Sequence, residues 1–224
     1  MFPPSDYYRL VRDTFRAHGD PAIAQGQMAY MRQQFDYFGL KMPAWKVLTA
    51  EIHRAQGLPD GTDLQALARL CFDDEHREMH YFALETLQKM TKKQPPEFIW
   101  FLEELIQEKS WWDTVDWIAT RLVGVHFQRY PVLVHPVTER WMASSQLWLQ
   151  RVCLIFQLKY KEKTDAELLF RYIRQVADSK EFFLQKGAGW ALRQYSRTNP
   201  AAVRHFLDTT RVAPLTRREG SKYC

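Results

Sequence analysis

No run of apolar residues in this sequence approaches the roughly 18 needed to cross a bilayer, and the opening MFPPSDYYRL lacks the charged-then-apolar pattern of a secretory leader. Neither a membrane span nor export is expected. Cysteine is scarce: Cys71, Cys153 and Cys224 are an odd number, widely spaced and without a CxxC pair. That excludes a disulfide framework and a zinc knuckle and suits a reducing cytoplasm. There is no phosphate-cradling glycine loop. His76 and His80 in HREMH stand four apart, but Glu78 is misplaced for a zincin and no PCxxC partner follows. No metal and no cofactor are expected. Extended alternating strand patterns are missing, and no Ser/Gly-rich linker divides the chain, so one domain over residues 1–224 is expected.

What is abundant is apolar and aromatic surface, at 46% and 14% of residues, enough for a substantial core. Apolar positions recur at helical spacing, as in Leu84, Leu87 and Met90, and short punctuators separate them: HGDP, GLPDGTD, KKQPPE, RYP and RTNP. The reading is all-α. Tyr8, Trp45, Trp100 and Trp141 are expected to serve packing. Laying WLQRVCLIFQLKY over FLQKGAGWALRQY pairs Leu149 with Leu184, Gln150 with Gln185, Arg151 with Lys186 and Tyr160 with Tyr195, an offset of 35 residues. Weaker copies begin near residues 77 and 111. Such a period belongs to helical-repeat solenoids, HEAT-like repeats fitting best, in which each helix pair buries its apolar face by stacking on its neighbours. Stacking would align Arg151 and Lys186 in a basic row on a concave groove. With a net charge of +5 and a pI near 9.1, that row could follow a phosphate backbone.

KSWWDTVDWIA, at 109–119, reads as helix, and in it Trp112 and Asp116 share one face while Asp113 points elsewhere. Taken alone, the stretch supplies a core tryptophan and a surface carboxylate. The repeat brings Arg151 and Trp190 to corresponding positions, so an aspartate, an arginine and two tryptophans can meet. Indole faces and an oriented carboxylate both stabilise a cation. Beside a nucleic-acid backbone the natural cation is the oxocarbenium sugar formed when an N-glycosidic bond breaks.

FLEELIQEKSWWDTVDWIA, WLQRVCLIFQLKYK, SKEFFLQKGAGWALRQYSRTNP, APLTRRE and MAYMRQQFDYFGLKMP resemble the bacterial AlkD-type DNA alkylation repair proteins, HEAT-like-repeat 3-methyladenine DNA glycosylases. The resemblance covers nearly the whole chain. It implies a catalytic aspartate at Asp116, flanking tryptophans at Trp112 and Trp190, and DNA contacts at Tyr30 and Arg151, with Lys159, Lys186 and Arg193 as secondary candidates. It further implies duplex DNA carrying cationic N3- or N7-alkylated purines as substrate, and a lesion engaged without a deep pocket. No lysine matches a Schiff-base nucleophile, so an uncut abasic strand is the expected product. A monomer without an obligate protein partner is expected, acting in the cytoplasm at the nucleoid. The competing reading is a non-enzymatic HEAT-repeat protein binding branched DNA or protein partners. Gly187 and Gly189 are expected to hold Trp190 less rigidly, and Thr216 with Glu219 has capping-box spacing.

Overall fold

Helix-starting chemistry is written at several of the punctuators. In the computed structural model, which describes residues 2–224, Asp20 accepts hydrogen bonds from the backbone N–H groups of Ala22 and Ile23, and Pro21 follows it at the first helical position. Asp165 and Asn199 cap their helices in the same way, satisfying donors that the first turn leaves unpaired. The protein is all-α: among the described residues the only β pairing is an isolated bridge between Asp36 and His76. No described helix is long and apolar enough to cross a membrane.

The chain forms two compact units, Met1–Pro95 and Pro96–Cys224, parting inside the KKQPPE punctuator. The first holds α1 (Pro4–His18), α2 (Pro21–Tyr30), α3 (Met42–Gln56), α4 (Gly61–Asp73) and α5 (Arg77–Met90). Helix α1 packs on α3, α4 and α5 around Val11, Phe15, Trp45, Leu64, Phe72 and Phe82, all of them buried. Glu78 of α5 is buried as well and accepts the N–H groups of Phe38, Gly39 and Leu40 at 3.1, 2.9 and 3.1 Å, pinning the loop that follows α2. His76 and His80 belong to a network on Asp74. His76 Nδ1 lies 2.9 Å from the Asp74 carboxylate, and His80 Nε2 lies 2.9 Å from the Asp74 carbonyl. Tyr8 and Arg12 also donate to this carboxylate.

The second unit holds α6 (Phe98–Gln107), α7 (Trp112–Trp117), α8 (Gly124–Arg129), α9 (Val134–Ala143), α10 (Leu147–Ile155), α11 (Ala166–Gln175), α12 (Phe182–Ser196), α13 (Pro200–Thr209) and α14 (Pro214–Gly220). A wide, π-helical turn at Ile118–Val123 joins α7 to α8 without a break. Helices α7, α10, α12 and α14 pack in succession; α6, α9 and α11 pack against α10, and α13 against α12. The recurrence seen in the sequence is therefore a contact distance. Thr138 and Tyr172, 34 apart, share a 2.6 Å hydrogen bond. Phe170 stacks on Phe206, and the Tyr160 hydroxyl donates to the Gly124 carbonyl, each pair 36 apart.

A helix does begin in this segment, α14, but the capping-box spacing of Thr216 and Glu219 is not what starts it. Pro214 starts α14 three residues before a Thr216 cap would, with Ala213 before it and no side-chain cap. Thr216 instead donates to the Gln185 carbonyl at 3.0 Å. Of the aromatics assigned to packing, Trp45 and Trp141 are fully buried, whereas Trp100 is 48% exposed beneath the Arg140 guanidinium.

Candidate functional site

Helix α7 begins at Trp112, one residue later than the pair WW suggests. Trp111 is extended and sits before it, its ring edge-on to Phe183 at 5.3 Å and to Trp148 at 6.1 Å. This start sets Trp112 and Asp116 four apart on one face. The face opens on a cavity of about 270 Å³, lined by Trp112, Asp116, Arg151, Phe182, Phe183, Lys186, Trp190 and Arg193. The structure thus brings together six of the eight residues singled out in the sequence. Lys159 lies exposed beyond α10, where burial and the charge of Arg121 lower its pKa. Tyr30 belongs to the first unit, at the end of α2, and is 71% exposed.

Asp116 is the central acid. Arg151 Nε donates to its Oδ1 and Nη2 to its Oδ2, both at 2.8 Å, in a two-pronged ion pair. Burial pushes the Asp116 carboxyl up; the hydrogen bonds and charge of Arg151 pull it back, and Asp113 adds a smaller upward push. The net direction is upward. Arg151 itself is 4% exposed and does not present its guanidinium at an open surface, as a phosphate contact would require.

The cationic rim has an unexpected centre. Glu219 of α14 is buried and takes Lys186 at 3.1 Å, Arg193 at 2.7 Å and Lys222 at 3.0 Å. Hydrogen bonds from Lys222 and Lys186 hold its carboxyl down at about 2. One anion under three cations leaves the rim positive while fixing where the charges stand. Lys186 keeps 40% of its side chain exposed on that rim.

The two glycines ahead of Trp190 also have reasons. A Cβ on Gly187 would lie 3.1 Å from Arg151 Nη1, and one on Gly189 would lie 2.6 Å from the Cβ of Glu219. They mark close approaches of α12 to Arg151 and to α14. Sequence reasoning missed the apolar wall of Phe182 and Phe183, although an FF pair opening a helix, one ring 55% exposed, is a signal of a lined surface. Among the described residues no group of three or more His, Cys, Asp or Glu side chains is placed to hold a metal.

A family model for DNA alkylation repair enzymes matches residues 11–224. The chain belongs to that family. Among solved structures, one described as a predicted DNA alkylation repair enzyme from Enterococcus faecalis is 29% identical with a TM-score of 0.86, covering 92% of this chain and 96% of that one. A second, smu.31 from Streptococcus mutans UA159, is 14% identical with a TM-score of 0.65, covering 97% and 98%, and speaks for the fold alone. No curated protein gives a match. Family membership assigns the chain to the repair of alkylated DNA, with DNA as its partner. Within that family, the cavity beside Asp116 is the candidate site of its chemistry.

Proposed function

We propose that this family member is a monofunctional DNA glycosylase that hydrolyses the N-glycosidic bond of cationic N3- or N7-alkylated purines in duplex DNA and leaves an abasic site. The observation that supports this reading most directly is that Asp116 lines one cavity together with Trp112 and Trp190. Alkylation has already put a positive charge on the base. As the bond breaks, that charge passes to the sugar, where the carboxylate stabilises it and orients water while the indole faces flank it. A cationic base needs no acid to leave. The residues lining the cavity match this, since apart from Asp116 its titratable groups are cations. Tyr30, Lys159, Lys186 and Arg193 are proposed to meet the DNA backbone, and the protein to work as a monomer without a cofactor.

Single-turnover release of free base from duplexes carrying 7-methylguanine, 3-methyladenine or neutral hypoxanthine tests the reading. The two cationic lesions should be released and hypoxanthine retained; efficient release of hypoxanthine would contradict it. Asp116→Asn should lower release by at least about a hundredfold, the scale of losing one charge-stabilising group. Asp113→Asn is the matched control, and a comparable loss there would mean the wrong carboxylate. The reaction requires Asp116 as the anion, and its pKa is raised. The rate should therefore fall on acidification at a pH above the ordinary carboxylate range.

A further inference from the structure

Arg151 is enclosed on every side that matters for a ligand. Nε and Nη2 face Asp116. Nη1 donates to the Phe183 carbonyl at 2.6 Å, and the Phe183 ring centre lies 5.8 Å from the guanidinium carbon. Gly187 supplies the remaining wall, where even a methyl group would press on Nη1. Helices α7, α10 and α12 all contribute to this seat. A residue that anchors phosphate needs donors turned outward, and these are turned in.

We propose that Arg151 is a positioning residue: clamped between the Phe183 carbonyl and Asp116, it holds that carboxylate as an oriented anion facing the cavity, and it is not a phosphate contact. The inference rests on the reading of Asp116 as the group that receives the developing charge. The charged groups around Asp116 are few. Asp113 is on its own helix, Arg151 comes from α10, and Lys186 and Arg193 come from α12, both drawn toward Glu219 of α14. Arg151 is the one that touches it. A half-buried carboxylate next to another acid would otherwise take up a proton at mildly acidic pH. The two-pronged geometry also fixes the plane of the carboxylate, which a lysine's single point charge cannot do.

The test uses the full chain labelled with ¹³C at aspartate carboxyls, with the Asp116 signal assigned by its loss in Asp116→Asn. Titration is followed by NMR in the unsubstituted protein, Arg151→Lys and Arg151→Met. The midpoint of Asp116 should rise by about one unit or more in Arg151→Met and by less in Arg151→Lys. The acidic limb of 7-methylguanine release should move up by the same amounts, with much of the rate regained at high pH. The salt slope for binding undamaged duplex should stay where it was. An Asp116 midpoint that does not move, or a salt slope that falls by about one in Arg151→Met, overturns the proposal and makes Arg151 a phosphate anchor. If Arg151→Met does not fold, Arg151→Lys carries the midpoint comparison alone: a smaller rise supports the proposal and an unmoved midpoint overturns it. A shifted midpoint in a protein that releases no base would sink the glycosylase reading and leave the positioning role standing.

Discussion

Two glycines inside one helix would ordinarily cost about 1 kcal/mol each relative to alanine. In α12 each sits where a neighbour comes too close for a side chain, so the local cost accompanies a tertiary contact. The two sites differ in what stands opposite. Gly187 faces Arg151 Nη1 at 3.1 Å, an overlap that a shift of a few tenths of an ångström would relieve, whereas Gly189 faces the Glu219 Cβ at 2.6 Å and the Thr216 carbonyl at 3.0 Å. Gly189→Ala should therefore lower stability by about 1–3 kcal/mol through overpacking. Gly187→Ala should change it by less than about 1 kcal/mol, helix propensity offsetting the crowding. Urea denaturation of both variants checks the ordering, and equal losses would show that the approach to α14 is not what requires Gly189. From sequence alone the glycines point toward a loosely held Trp190, because propensity is local and the facing residues lie about 30 or more positions away.

At the scale of an element, α14 is docked by charge as well as by apolar contact. The Glu219 carboxyl is lowered from its ordinary 4.5 to about 2, which makes the folded state a weaker proton binder than the unfolded chain. The stability this confers is fully present above pH 4.5 and is lost as the pH falls through about 2. Glu219→Gln should be less stable than the unsubstituted protein at neutral pH, and the gap should close across that window. A gap that stays constant down to pH 2 would mean that Glu219 packs α14 without using its charge. The capping-box spacing was a real pattern with another use. Thr216 and Glu219 share a face of α14 that meets α12, and the spacing that would serve a cap also serves that contact. The helices themselves were legible because their caps and their 3.6-residue periodicity are local. The wide turn after Asp116 was not, since the apolar residues Ile118, Ala119, Leu122 and Val123 satisfy ordinary helical spacing as well.

For the whole molecule, charge bears on binding more than on folding. A net charge of +5 and a family whose partner is DNA imply association that weakens steeply with salt. Lys159 is exposed and stands near Arg121, with burial and that neighbouring charge both disfavouring its own. A phosphate would relieve the repulsion. Lys159→Ala should reduce the slope of log affinity against log salt by about one unit for any duplex sequence, read by fluorescence anisotropy; an unchanged slope would take Lys159 off the DNA. The 35-residue recurrence disclosed both the helix pairs of the second unit and the convergence on Asp116. It could not disclose that Arg151 would bind the acid instead of lining up with Lys186, because alignment gives a residue's row and not the direction its side chain takes. The parting at Pro95–Pro96 falls in KKQPPE, which reads like any other turn between helices.

The wide turn between α7 and α8 contains one residue more per turn than the regular helix on either side. Its downstream end is where α8 meets the segment after α10 through bare backbone: a Cβ on Gly124 would stand 2.5 Å from the Phe156 carbonyl, and the Gly124 carbonyl takes the Tyr160 hydroxyl. A first residue removed from 118–123 would only close the wide turn to regular helix, but a second would swing everything beyond it by about 100°. Gly124 would turn away from both partners while Trp112 and Asp116 kept their places. Loops between helices can gain or lose residues with little consequence, but in this segment the length is the quantity to look for, fixed to within the one residue that the wide turn holds in surplus. Insertions and deletions among family members should accumulate on either side of residues 112–124, and within them nothing beyond the loss of the one surplus residue should occur.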